Sequence, residues 1–208
     1  MGEILKFPAE GSKLGYKRVK KRKIAEAPGQ LPLFPQVAGP ILSFAASLSP
    51  FEQALMFDEC GDAKAAELYF KAIENKDCVA DAYCNLGIIE SQSGNTTKAF
   101  DCFTTALKHD PRHSEAHYNL GNLYFELNDF RLAQIHYQMA GEVDPSFANT
   151  FFNLALVQSI NKDFAAAISA LTQYRALVSG DEARDIEEML RSLKTSLATA
   201  KNSRLKST

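Results

Sequence analysis

Along the chain, apolar and polar positions alternate with a helical period. Tyr83, Leu86 and Gly87, then Ala99, Phe103 and Ala106, recur at three- and four-residue intervals, as on the inner face of an α-helix. Gly94-Asn95 interrupts the pattern between the two runs, so they are predicted to be a pair of helices joined by a tight turn. Asn128-Asp129 and Asn161-Lys162-Asp163 stand at equivalent places further on. Asn85-Leu86-Gly87, Asn119-Leu120-Gly121 and Asn153-Leu154-Ala155 follow one another at 34 residues. Ala99, Ala133 and Ala167 keep this spacing, as do Phe103, Tyr137 and Leu171, while Pro111 and Pro145 close two of the units. Small residues at Gly87, Gly121 and Ala155 let two helices approach, and the larger side chains fill the space beside them. Proline stops the second helix, because it lacks an N–H and disfavours helical backbone before it. A repeat of this length is the mark of a stacked helical array.

The pattern resembles the tetratricopeptide repeat family, a helix-turn-helix of 34 residues with small, aromatic and proline positions. The resemblance is strongest over residues 80–147, about two full repeats. Residues 148–180 form a weaker third, with Ala155 for the usual glycine and Ser179 for the usual proline. Residues 47–79 resemble a degenerate first repeat: Gly61-Asp62, Ala65, Tyr69 and Ala72 keep the second-helix signature, and the first helix, Pro50 to Glu59, has no Asn-Leu-Gly. The implied fold is all-α, a right-handed solenoid of about four repeats over 46–180. A repeat array needs a terminal element with a polar outer face. Asp181 and Glu182 suit a helix start, and Ile186, Met189, Leu190, Leu193 and Leu197 are amphipathic at helical spacing, so 181–199 is predicted to be a capping helix and 200–208 a frayed tail.

In the resembled family, the first helices line a concave face that holds an extended peptide or a partner's helix. Carried over by register, Asn85, Asn119 and Asn153 would form an asparagine ladder there, with Cys84, Ile88, Tyr118, Asn122, Phe125, Phe152 and Leu156 as neighbours. An amide offers an acceptor and two donors, enough to pair with a peptide backbone of any sequence; the alternative is local caps and water contacts. Relatives that clamp a chaperone's C-terminal carboxylate place Lys and Arg at matching positions. Here those hold Asp81, Glu115, Cys84, Tyr118, Asn119 and Asn122, which argues against such a ligand. The acidic rim of Asp81, Glu115 and Glu126 favours a neutral or basic partner.

Composition narrows the classes. Of 208 residues, 46% are hydrophobic and 23% charged, typical of a globular protein, and the net charge is −2. That total conceals an asymmetry: residues 1–30 carry eight Lys/Arg against three Glu, a net of +5, and the remainder carries −7. No apolar run is long enough for a membrane helix, and no apolar leader is evident, so the expectation is a cytoplasmic protein with no membrane partner. Cys60, Cys78, Cys84 and Cys102 lack metal-site spacing and read as free thiols. His109, His113 and His117 are four apart, but Pro111 separates the first two, leaving His113 and His117 as a weak chelating pair and His136 with no evident partner. Surface or turn histidines are the simpler reading, and no metal or cofactor is expected. No phosphate loop or nucleophile constellation is present, and the expectation is a non-enzymatic protein-binding scaffold.

Residues 1–45 hold five of the eight prolines and show no period, which predicts an arm that is disordered or ordered only on binding. Its cations, Lys17, Arg18, Lys20, Lys21, Arg22 and Lys23, fit several readings: weak contact to nucleic-acid phosphates, a nuclear import signal, a solubilising arm, or a strip lying against the acidic repeats of its own chain. Gln30-Leu31-Pro32-Leu33-Phe34 resembles the peptide by which bacterial replication proteins dock on the DNA sliding clamp, with Gln30 as polar anchor and Leu33 and Phe34 filling a cleft. The alternative is that Leu31, Leu33 and Phe34 pack on the repeats. A DNA-associated accessory factor, tethered by these two elements, is thus the second functional class.

Overall fold

The computed structural model describes residues 15–20 and 48–205, with side chains through Thr199. Gln30, Leu31, Leu33 and Phe34 lie outside the described residues, as do Lys21, Arg22 and Lys23. The described residues contain helices and no strand. They divide into two compact units, one holding residues 18–20 and 48–111 and the other 15–17 and 112–205.

In the first unit the helices are α1 (Pro50–Glu59), α2 (Lys64–Glu74), α3 (Val79–Gln92) and α4 (Thr96–His109), each packed on the next. Local chemistry sets where α1 begins. Ser49 accepts from the Glu52 N–H while the Glu52 carboxylate accepts from the Ser49 N–H, and Pro50 takes the first helical position, where no N–H is needed. Phe51, Ala54, Ala65, Tyr69, Ala72, Ala82, Leu86, Ile88, Ala99, Phe103 and Ala106 are buried within it. The close approach anticipated at Gly87 is present: a Cβ there would meet the Phe103 ring at 2.6 Å. No proline closes the α2–α3 connection; instead Lys76 and Cys78 both take left-handed backbone.

The second unit comprises α5 (Ser114–Glu126), α6 (Phe130–Val143), α7 (Ala148–Ile160), α8 (Phe164–Leu177) and α9 (Gly180–Leu205), again packed in succession. Asp129 and Asp163 cap α6 and α8 by accepting from the Leu132 and Ala166 N–H groups. Gly121 repeats the device of Gly87, with a Cβ there lying 2.6 Å from the Tyr137 ring. Ile186, Met189, Leu190 and Leu193 of α9 join the core of Tyr137, Leu154, Leu171 and Tyr174, so α9 packs its apolar face on α8. The helix continues past 199 to Leu205, since Ala200 to Leu205 contains neither glycine nor proline to stop it.

Candidate functional site

Two of the three repeat asparagines, Asn85 and Asn119, bind backbone, and that backbone belongs to the chain itself; Asn153 instead donates to the side chains of Tyr118 and Asn122. In the unit of α1–α4, the Asn85 Oδ1 accepts from the Val19 N–H at 2.9 Å, and its Nδ2 donates to the Val19 carbonyl at 3.2 Å. The same Nδ2 donates to the Tyr69 hydroxyl at 3.0 Å, which in turn donates to Asp58 at 3.0 Å. Burial, tempered by the Asn85 hydrogen bond, pushes the Tyr69 hydroxyl up to about 12, so it stays a donor. Val19 is only 1% exposed. Beside it the Arg18 guanidinium forms an ion pair with the largely buried Asp58, donates to the Asp58 carbonyl at 3.2 Å and to Gln92 at 3.1 Å. We call this set the α3 clasp.

An α5 clasp occurs in the other unit. The Asn119 Oδ1 accepts from the Lys17 N–H at 2.9 Å and its Nδ2 donates to the Lys17 carbonyl at 3.1 Å. The Lys17 ammonium donates to Asp144 at 2.8 Å, lies 3.7 Å from Glu115 and sits 3.9 Å from the centre of the Phe147 ring. Burial alone would raise the Asp144 carboxyl, but hydrogen bonds from Lys17 and Ser146 and the Lys17 charge outweigh it and hold the group below its ordinary value. The Tyr16 hydroxyl donates to Glu126 at 3.4 Å.

One amide can reach the N–H and the C=O of a single residue only where both point the same way, as they do in extended backbone. Residues two apart then face the same side, and Lys17 and Val19 are two apart. Lys20 is exposed. Of the arm's predicted cations, Lys17 and Arg18 are therefore engaged with carboxylates of their own chain.

The remaining residues expected on the groove have other settings. Ile88, Tyr118 and Phe152 are buried, with Tyr118 edge-on to Phe147 and Phe152 against Tyr174; Cys84 is buried too, while Phe125 and Leu156 are half-buried. Asn122 accepts from the Tyr137 hydroxyl at 2.8 Å and from Asn153 at 3.4 Å, and Asn153 also donates to the Tyr118 hydroxyl at 3.2 Å. These amides tie together the hydroxyls of Tyr118 and Tyr137, which are fully buried and need such partners.

The histidines differ from expectation. His113 does not chelate with His117: its Nδ1 accepts from the Ala116 N–H and caps α5. His136, expected to stand alone, lies with its Nδ1 at 3.1 Å from that of His117, and Tyr124 stacks on its ring. The two belong to facing helices of one hairpin, a contact that spacing along the chain cannot reveal. Burial first, then the neighbouring His117, lowers His136 to about 4, so His136 is neutral at pH 7 and one of the two Nδ1 atoms donates to the other. Among the described residues no group of three or more His, Cys, Asp or Glu could hold a metal ion. Cys102 is pushed up to about 11, chiefly by burial, and remains a thiol.

The tetratricopeptide repeat family model matches residues 79–146, which covers α3 to α6. The α3–α4 and α5–α6 hairpins match the tetratricopeptide repeat. Mouse (Mus musculus) tetratricopeptide repeat protein 8 is 30% identical over 125 residues, 60% of this chain and 24% of that protein. Human (Homo sapiens) tetratricopeptide repeat protein 6 is 26% identical over 110 residues, 53% of this chain and 21% of that protein. The chain thus spans about a quarter or less of the curated relatives it matches. Among solved structures, the crystal structure of MamA superposes with a TM-score of 0.54 over 74% of this chain and 96% of that one, at 18% identity, a likeness of fold. Tetratricopeptide repeats are protein-interaction scaffolds. No helix among the described residues is long and apolar enough to cross a membrane.

Proposed function

We propose that this chain is a non-enzymatic scaffold whose first-helix faces capture an extended, neutral or basic segment of another protein. The observation that carries this is the pairing of Asn85 and Asn119, each with both backbone groups of one residue in residues 15–20. Backbone pairing supplies affinity without demanding a sequence, and side-chain subsites beside it supply selectivity. Glu115 and Asp144 beside Asn119, and Asp58 beside Asn85, set the sign of the ligand's charge. The free thiols suit a reducing compartment such as the cytoplasm. Two of the arm's cations, Lys17 and Arg18, pair with carboxylates of the chain, which supports this reading over the DNA-associated one.

The test is selection of binders from a random peptide library on the immobilised full chain, repeated with Asn85→Ala/Asn119→Ala. Enriched peptides should be neutral or basic and should lose at least ten-fold in affinity on the variant, with its helical circular dichroism retained. Enrichment of acidic peptides, or capture indifferent to the two asparagines, would overturn the proposal.

A further inference from the structure

The two clasps are selective beyond their asparagines, and what they select is written in the residues that fill them. The α5 clasp surrounds an ammonium: two carboxylates, Asp144 at 2.8 Å and Glu115 at 3.7 Å, and the face of Phe147 at 3.9 Å. An ammonium meets three of its needs there, namely charge, a hydrogen-bond acceptor and a π face, whereas a carboxylate is repelled and a neutral polar side chain gains a hydrogen bond alone. The α3 clasp has two parts. Asp58 is 7% exposed and receives a guanidinium, which also donates to the Asp58 carbonyl and to Gln92, a forked set of donors that an ammonium cannot reproduce. Next to it, Val19 is 1% exposed, so that position takes a small apolar side chain and excludes a charged one.

Resting on the peptide-capture reading above, we propose that Tyr16–Val19 is an internal stand-in for the partner. The partner is then a protein segment that binds by displacing the chain's own residues: taken singly, the α5 clasp suits a lysine, and the α3 clasp suits an arginine followed by a small β-branched residue. The charge imbalance along the sequence fits this assignment, since residues 1–30 carry a net +5 and the rest −7. Every charged group of the occupant that touches a clasp meets an opposite charge: Lys17 with Asp144 and Glu115, Arg18 with Asp58. Tyr16 adds a hydroxyl to Glu126 and no apolar burial comparable to Val19.

The experiment uses the full chain and a fluorescein-labelled decapeptide copying residues 13–22. In Lys17→Glu/Arg18→Glu/Val19→Asp the internal occupant is repelled from both clasps. The probe should bind that variant at least ten-fold more tightly than it binds the wild type, and adding Asn85→Ala/Asn119→Ala should abolish the gain. A probe with the three residues exchanged for their acidic counterparts should not bind. Val19→Ala alone should give an intermediate affinity with unchanged helical circular dichroism.

Equal, asparagine-dependent binding to wild type and triple variant would overturn the competition while sparing peptide capture. No binding to a well-folded triple variant would overturn both. Loss of helical signal in the triple variant would make residues 16–19 a part of the fold and overturn the proposal. A wild-type dimer that the triple variant dissolves would assign the clasps to a second copy's arm, which likewise overturns it.

Discussion

The α3 and α5 clasps share one amide and differ in everything around it. Asn85 and Asn119 occupy the same register of consecutive repeats and make the same pair of bonds to backbone. Around Asn85 the companions are a buried valine, a buried tyrosine hydroxyl and a nearly buried carboxylate. Around Asn119 they are a half-exposed lysine, two carboxylates and a phenylalanine face. The repeat thus fixes where a backbone is held, while non-repeating residues decide which side chain accompanies it. The difference also separates two mixtures of energy, apolar burial beside a buried ion pair in the α3 clasp and charge pairing at a partly exposed lysine in the α5 clasp.

What the hairpins have in common should be the costliest to disturb. Gly87→Leu and Gly121→Leu each drive a side chain into a ring already 2.6 Å from where a Cβ would stand. Each should lose about 3 kcal/mol in urea unfolding, with closely similar values at the two sites. A tolerated leucine at either position would separate the hairpins that the repeat treats as equivalent.

Acid should tell the hairpins apart. The positions of His117 and His136 are filled one repeat earlier by Tyr83 and Cys102, so the α3–α4 hairpin has no histidine pair there. His136 is lowered to about 4 from an ordinary 6.5, so the unfolded chain takes up its proton before the folded one does. Its contribution is therefore complete above about 6.5 and is lost as pH falls toward about 4. Urea unfolding of wild type and His136→Gln across that window should show a flatter slope in the variant. Asp144, held below its ordinary value, contributes above that value and loses its share at still lower pH, outside the histidine window.

The smallest effects should separate the clasps by mechanism. Val19→Ala removes two buried carbons and should cost about 1.5 kcal/mol at any salt concentration. Lys17→Ala should cost under about 1 kcal/mol, because its side chain is 19% exposed, and the cost should shrink further at high salt. Thermal melts of both variants at low and high salt give the comparison. A salt-sensitive Val19 effect would mean that charge governs both clasps.

The sequence carried the repeat plainly and its ligand hardly at all. Gly87, Gly121, Phe103 and Tyr137 were legible because small and large residues recur every 34 positions, and periodicity is what tertiary packing of hairpins writes into a chain. Asn85 and Asn119 were legible as ladder members by the same register. Residues 15–20 were not, since they lack a period and hold a single strongly apolar side chain among cations. Their partners lie 66 and 102 residues away. The charge contrast between arm and body was the one signal available, and several readings accounted for it equally. The inward use of Asn122 by Tyr137, and the meeting of His117 with His136, depend on how helices of a hairpin face each other. Each is a single occurrence, so no repetition marks it.

Each hairpin turns through one left-handed residue at the same register, and its identity changes along the chain from Gly61 and Gly94 to Asn128 and Lys162. A lysine in that conformation carries about 1 kcal/mol of strain that a glycine avoids. The α7–α8 hairpin is accordingly held bent under tension that the α1–α2 and α3–α4 turns do not bear. Local opening costs least where the turn itself favours release. Exchange of its amide hydrogens with solvent should therefore register that tension as a weak point set into the backbone, independent of any ligand.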